Sequence, residues 1–147
     1  MATPYAQRDV NFVEASSSRD AFALIARVLL AAIFLMSGFG KITDFAGTAS
    51  YIAAHSLPFP AVSALLAIVV EIGGGLMLLI GWKARWASLI VAFYSVVAGI
   101  LFHAYWTDAD SAARMGDYIN FWKNLSIAGG FLMVFAFGPG RYSVDRR

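Results

Sequence analysis

The sequence predicts an all-α integral membrane protein, a four-helix bundle crossing the bilayer four times with both termini cytoplasmic. Three observations lead there. The apolar residues arrive in four long blocks separated by short polar breaks. Only 14% of the residues are charged and 60% are hydrophobic, against roughly a quarter charged in a soluble domain. Lys and Arg also fall unevenly on the two sides that four crossings define. A helix of about 20 apolar residues spans a hydrocarbon core about 30 Å thick, and four of them in 147 residues make one membrane domain.

Residues 1–20 are polar and mixed in charge, with Ser16, Ser17 and Ser18 in a row. They lack the short basic start and cleavage site of a signal peptide, and read as a retained, loosely ordered cytoplasmic segment. The transmembrane domain covers 21–138. Its first span, about 21–40, is AFALIARVLLAAIFLMSGFG and is closed by Lys41. Between Lys41 and Pro60, the roughly helical spacing of Phe45, Tyr51, Ile52 and Leu57 predicts a short interfacial helix. Pro58 and Pro60 stop it, since proline supplies no amide donor and turns the preceding residue away from helix. The second span, about 61–80, is broken only by Ser63, Glu71 and the run Gly73, Gly74, Gly75. A tight turn over 81–85 leads to the third span, about 86–105, which carries Tyr94, Ser95 and His103. A polar stretch over 107–118 holds Asp108, Asp110, Arg114 and Asp117, and the fourth span runs over about 120–137. Residues 139–147 form a cytoplasmic tail.

Cytoplasmic loops are enriched in Lys and Arg, which sets the orientation. With an even number of spans the termini share a side with the 81–85 turn, and that side collects Arg8, Arg19, Lys83, Arg85, Arg141, Arg146 and Arg147. The other side holds only Arg114, with Lys41 and Lys123 at span ends. Trp82, Trp86, Tyr105, Trp106 and Trp122 fall at the same boundaries, where amphipathic rings favour the headgroup region. The pI near 9.1 reflects a net charge of only +2 dispersed around apolar spans, which is topology and no sign of a nucleic-acid partner. With no cysteine in the chain, disulfides, thiolate metal sites, iron–sulfur clusters and covalent haem are excluded.

Glu71 has about ten residues of helix on either side, so it lies near the bilayer midplane and must face inward to a partner. An antiparallel hairpin of the first two spans puts Arg27 at a similar depth, which predicts an Arg27–Glu71 ion pair. Two roles stand for Glu71: a register pin, or a proton carrier or ligand acceptor. At the outer end, His103 comes level with Lys123 and Asn124, and Lys41 closes the first span at a similar height. Those four supply donors for an anion or a carbonyl ligand. The bland alternative is lysines that snorkel and a solvated histidine. Gly38, Gly40, Gly73, Gly74, Gly75, Gly129 and Gly130 suit close helix packing. Haem has little support, because the two histidines are His55, in a loop, and His103. No metal-ligand spacing is present.

Arg27, Gly38 and Lys41 on the first span, Glu71-Ile-Gly-Gly-Gly and Gly81 around the second, His103 on the third, Lys123-Asn124 and Gly129-Gly130 on the fourth, and the tail from Gly138 to Asp145 resemble the DoxX family. The likeness runs over about 22–145. It implies a multi-pass inner-membrane protein related to the membrane subunits of thiosulfate:quinone oxidoreductase, hence a quinone-linked oxidoreductase complex. Glu71 and His103 are then the candidate catalytic residues. Arg27, Lys41, Lys123, Asn124 and Tyr94 are the candidate ligand-binding residues, with a quinone and a small anion as ligands and Phe34 and Phe121 flanking the ring. A non-catalytic anchor for a protein partner or a homo-oligomer is the second class of function, and a small transporter the third.

Overall fold

The computed structural model describes residues 4–146, with side chains from residue 18 onward. Six α-helices follow in order: α1 (Pro4–Thr43), α2 (Phe45–Ala54), α3 (Pro60–Ile68), α4 (Gly74–Ile80), α5 (Ala84–Phe102) and α6 (Ser111–Phe137). A π-helical turn, Val69–Gly73, joins α3 to α4. Among the described residues there is no strand. Three segments are long and apolar enough to cross a membrane, Ser18–Thr43, Pro60–Ile80 and Ala84–Thr107. α6 is a fourth long helix, diluted in its first half by Asp117, Asn120, Lys123 and Asn124.

Local chemistry explains most of the boundaries. Asp44 caps α2, its carboxylate accepting from the Gly47 amide at 2.9 Å, which satisfies one of the donors a helix start leaves open. Pro60 opens α3, where its missing amide costs nothing. Asp110 caps α6 by accepting from the Ala113 amide at 2.9 Å. α6 therefore starts at Ser111, inside the polar stretch over 107–118 and ahead of the fourth span expected from about 120. At the other extreme α1 begins at Pro4, so the backbone of the N-terminal segment expected to be loose is largely helical. Side chains before residue 18 lie outside the described residues.

The π turn carries one more residue than an α-turn, which rotates the face of α4 by about 100° relative to α3. α4 accordingly packs on both α1 and α5, while α3 packs on α1 and α2 and leaves α5 alone. The antiparallel register of α1 is set by close approaches. A Cβ on Gly38 would lie 3.1 Å from the Glu71 Cβ, and one on Gly75 would meet Leu35 at 2.8 Å. Gly40, Gly73 and Gly129, expected to serve packing as well, face open space.

Ala31, Phe34, Leu78, Ala87, Val91, Ala92, Ala128, Phe131 and Val134 form the core. Phe34 meets Phe131 edge to face at 5.2 Å. Phe34 also reaches Tyr94, whereas Leu78 and Ala87 lie toward the end of the bundle where α4 turns into α5. The tail closes that end: the Arg141 amide donates to Asp20 Oδ1 at 3.0 Å, and the Val144 amide donates to the Ile80 carbonyl at 3.1 Å. Gly81 sits there at φ +72°, and a Cβ on it would collide with Arg27 and Ser143. Gly81→Ala should therefore cost about 1–3 kcal/mol from overpacking and left-handed backbone strain, read as a lowered midpoint in detergent denaturation; an unchanged midpoint would contradict this packing.

Candidate functional site

Past Phe34, which belongs both to the core and to the lining, the bundle opens into a cavity. It has a volume of about 580 Å³ and lies between α1, the α3 to π-turn segment, α5 and α6, roofed by α2. That volume is in the range of small-molecule and cofactor sites.

Glu71 forms its floor. The residue is only 4% exposed, and both carboxylate oxygens are engaged. Tyr94 Oη donates to Oε1 at 2.6 Å, and Lys41 Nζ donates to Oε2 at 2.9 Å and to Ser37 Oγ at 2.7 Å. A charged pair with a phenol donor is how a carboxylate persists at this depth, since an unpaired one costs several kcal/mol. The π turn places Glu71 here, and such turns recur at functional sites because the widened turn re-aims a side chain. Tyr94 is held by Phe34, edge on at 6.3 Å.

Around the outer rim, His103 ends α5 and its Nδ1 lies 3.0 Å from Asp117 Oδ1. A neutral ring donating from Nδ1 leaves Nε2 as an acceptor. Lys123 Nζ donates to Asn120 Oδ1 at 2.7 Å, and Asn124 Nδ2 donates to the Asn120 carbonyl at 3.0 Å. Tyr51 of α2 stacks on Phe102 at 5.6 Å. Partial burial, reinforced by the Asp117 charge, pushes its hydroxyl pKa up, so it stays a donor at neutral pH.

Six of the seven residues singled out from sequence, Glu71, His103, Lys41, Lys123, Asn124 and Tyr94, thus line one cavity. Arg27 does not. It is fully buried at the opposite end, where Nη2 donates to the Tyr142 carbonyl. The expected Arg27–Glu71 pair is corrected: Glu71 is level with Gly38, and Arg27 is level with Gly81, ten residues further on, or about 15 Å along the helix. Lys41, expected to belong to a separate outer cluster, is Glu71's partner. Phe121, expected beside a ligand ring, packs instead on Tyr105 and Trp106. Ser37, Asp117 and Tyr51 were missed. Ser37 is four residues before Lys41, on the same helix face, and that spacing was a usable signal. Asp117 lies in the polar stretch ahead of the expected fourth span, and the early start of α6 brings it to His103. No group of three or more potential metal ligands exists among the described residues.

A bundle of apolar helices enclosing a cavity with a charged floor defines a small multi-pass membrane protein with a polar-floored interior. The chain belongs to the DoxX family, whose model matches residues 22–104. It is 36% identical over 138 residues to the inner membrane protein YphA of Escherichia coli, covering 94% of this chain and 98% of that one. It is 38% identical over 127 residues to the inner membrane protein YqjF of the same organism, covering 86% and 92%. A shorter likeness, 29% over 84 residues, links it to a Surfeit locus protein 4 homolog of Schizosaccharomyces pombe, covering 56% of this chain and 28% of that one. No solved structure matches. The protein is a multi-pass inner-membrane protein.

Proposed function

We propose that this protein binds a membrane quinone in the cavity and serves as the membrane subunit of a quinone-linked oxidoreductase complex. The observation that carries this reading is Glu71, buried between Tyr94 Oη and Lys41 Nζ on the floor of an apolar-walled cavity. Reduction of a quinone to a quinol takes two electrons and two protons. The phenol and the ammonium are donors suited to a quinone carbonyl, and the carboxylate is the group to relay a proton. The electrons come from a partner's redox centre; this chain has no thiol for an iron–sulfur cluster or a dithiol relay. Lys123, Asn124 and His103 at the rim suit an anionic reductant such as thiosulfate. In this reading α6 is the fourth span, and the end closed by the tail is cytoplasmic, in keeping with the Lys and Arg distribution. Arg27 then has no contact with ligand and acts on the tail alone.

The test is direct. Protein purified in mild detergent, extracted into solvent and examined by absorption before and after borohydride, should yield quinone in roughly stoichiometric amount. Protein that yields none, and that binds no added quinone after reconstitution, would end the quinone reading and favour an anchor for other proteins.

A further inference from the structure

The cavity has walls of unlike character. Its polar groups gather on the floor, along α1 and α6, and at the roof with Tyr51 and His103, whereas the α3 and α5 stretches from Leu66 and Ala67 to Ala98 and Leu101 are apolar. α3 packs on α1, α2 and the π turn, and α5 packs on α4, α6 and the π turn, but α3 and α5 do not pack on each other. They diverge from the π turn outward and leave a gap in the wall. Leu66 and Ala67 edge it on α3, and Ala98 and Leu101 edge it on α5. Leu66 and Leu101 belong to the cavity wall and are yet 59% and 42% exposed, so the cavity reaches the outside of the bundle between them. The one hydroxyl nearby, on Ser63, is turned to its own backbone, donating to the Pro58 carbonyl at 3.2 Å.

The route along the membrane normal is obstructed. Tyr51 stacks on Phe102, and His55 meets the same ring edge on at 5.1 Å, so α2 is tied by ring contacts to the end of α5. A ligand from water must displace that contact. One dissolved in the lipid meets an apolar gap at the depth of its own chains.

We infer that the cavity is a lateral site for an amphiphile, which enters from the lipid between α3 and α5 and keeps its apolar chain in that gap while its headgroup rests on Lys41, Glu71 and Tyr94. The quinone reading supplies the headgroup here; the gap and the chain rest on the packing alone. The small side chains of Ala67 and Ala98 leave room for the chain, and Leu66 and Leu101 contact it on either side. The site thereby selects ligands carrying a chain over chainless analogues with the same ring.

Because the chain has no cysteine, Ala98→Cys provides a single attachment point for a fluorophore, with Ala67→Cys as the second choice should the first fail to fold. The labelled protein is reconstituted in nanodiscs whose phospholipids carry a spin label on the acyl chain, and binding of a long-chain quinone and of its chainless analogue is followed by equilibrium dialysis. Strong quenching by lipid chains is expected at the gap, relieved several-fold by the long-chain quinone and unaffected by the chainless one. The long-chain form should also bind at least about tenfold more tightly, and Ala98→Trp should remove that advantage without changing the chainless affinity. Absence of lipid quenching, or a bound long-chain quinone that leaves the quenching as it was, would overturn the lateral site. Quenching without binding of either quinone would retire the quinone reading and leave the lateral gap standing for another chain-bearing amphiphile.

Discussion

Deleting residues 142–147 is expected to destabilise the protein by about 3–5 kcal/mol, the usual consequence of stripping the partner from a buried charge. Arg27 is fully buried, and its guanidinium donates to the Tyr142 carbonyl. Nε and Nη1 have no hydrogen-bond partner among the described residues, so the tail carbonyl and the nearby Asp145 carboxylate are the compensation for that charge. Asp145 does further work: its two oxygens accept from the Lys83 and Ala84 amides, both at 3.0 Å. The start of α5 is thereby capped from a distant part of the chain, a contact of about 1 kcal/mol by itself. The Val144 and Asp145 amides in turn satisfy the carbonyls of Ile80 and Gly81 at the end of α4. Truncation removes all of these together. The melting midpoint in detergent should fall by on the order of 10 °C. Arg27→Met in the truncated chain should recover part of the loss, because the stranded charge goes with it. A truncated protein that melts with the intact one would show that the tail is not Arg27's partner.

The same residue shows where sequence reasoning succeeds and fails in this protein. The elements were legible because each rests on local signals: apolar length for the first three spanning segments, helical spacing for α2, and paired prolines before α3. The chemical inventory was legible too, since an ionisable side chain amid apolar residues declares itself without any knowledge of its neighbours. Pairing was not. Aligning span midpoints sets Arg27 near Glu71, and Ser18–Thr43 has the same midpoint as 21–40, whereas the actual register is fixed by the tight approaches at Gly38 and Gly75. Those approaches depend on which face each helix presents, and an offset of about ten residues exchanged Lys41 for Arg27. The π turn was equally hidden, because the extra residue is accommodated by tertiary packing and leaves no mark in the periodicity of so short and apolar a stretch. Without it, Glu71 and the divergence of α3 from α5 cannot be placed.

On the quinone reading proposed above, Glu71→Gln is expected to lower quinone turnover in the assembled complex by about 10²–10⁴-fold, the span associated with losing a positioned acid–base group, while the fold survives. The substitution keeps the volume and leaves an amide oxygen to accept from Tyr94 Oη, now 2.6 Å from the carboxylate. What it removes is the negative charge beside Lys41. That lysine has 26% of its side chain exposed, so its ammonium can turn toward the rim along its own flexible stem. The expected stability loss is then about 1–3 kcal/mol, typical of an interrupted buried hydrogen bond, and smaller than for Arg27, which has no such escape. A register pin and a proton carrier part company on this contrast. If Glu71 only fixes the alignment of α1 with the π turn, the two losses should track each other, and any variant of equal stability should turn over equally fast. Gly75→Ala, which presses on Leu35 below the cavity, gives that comparison: it should reduce stability without reducing turnover in stable, folded protein. Turnover in Glu71→Gln matching that of Gly75→Ala would assign Glu71 to structure. A loss of two orders of magnitude at similar stability would assign it to the proton.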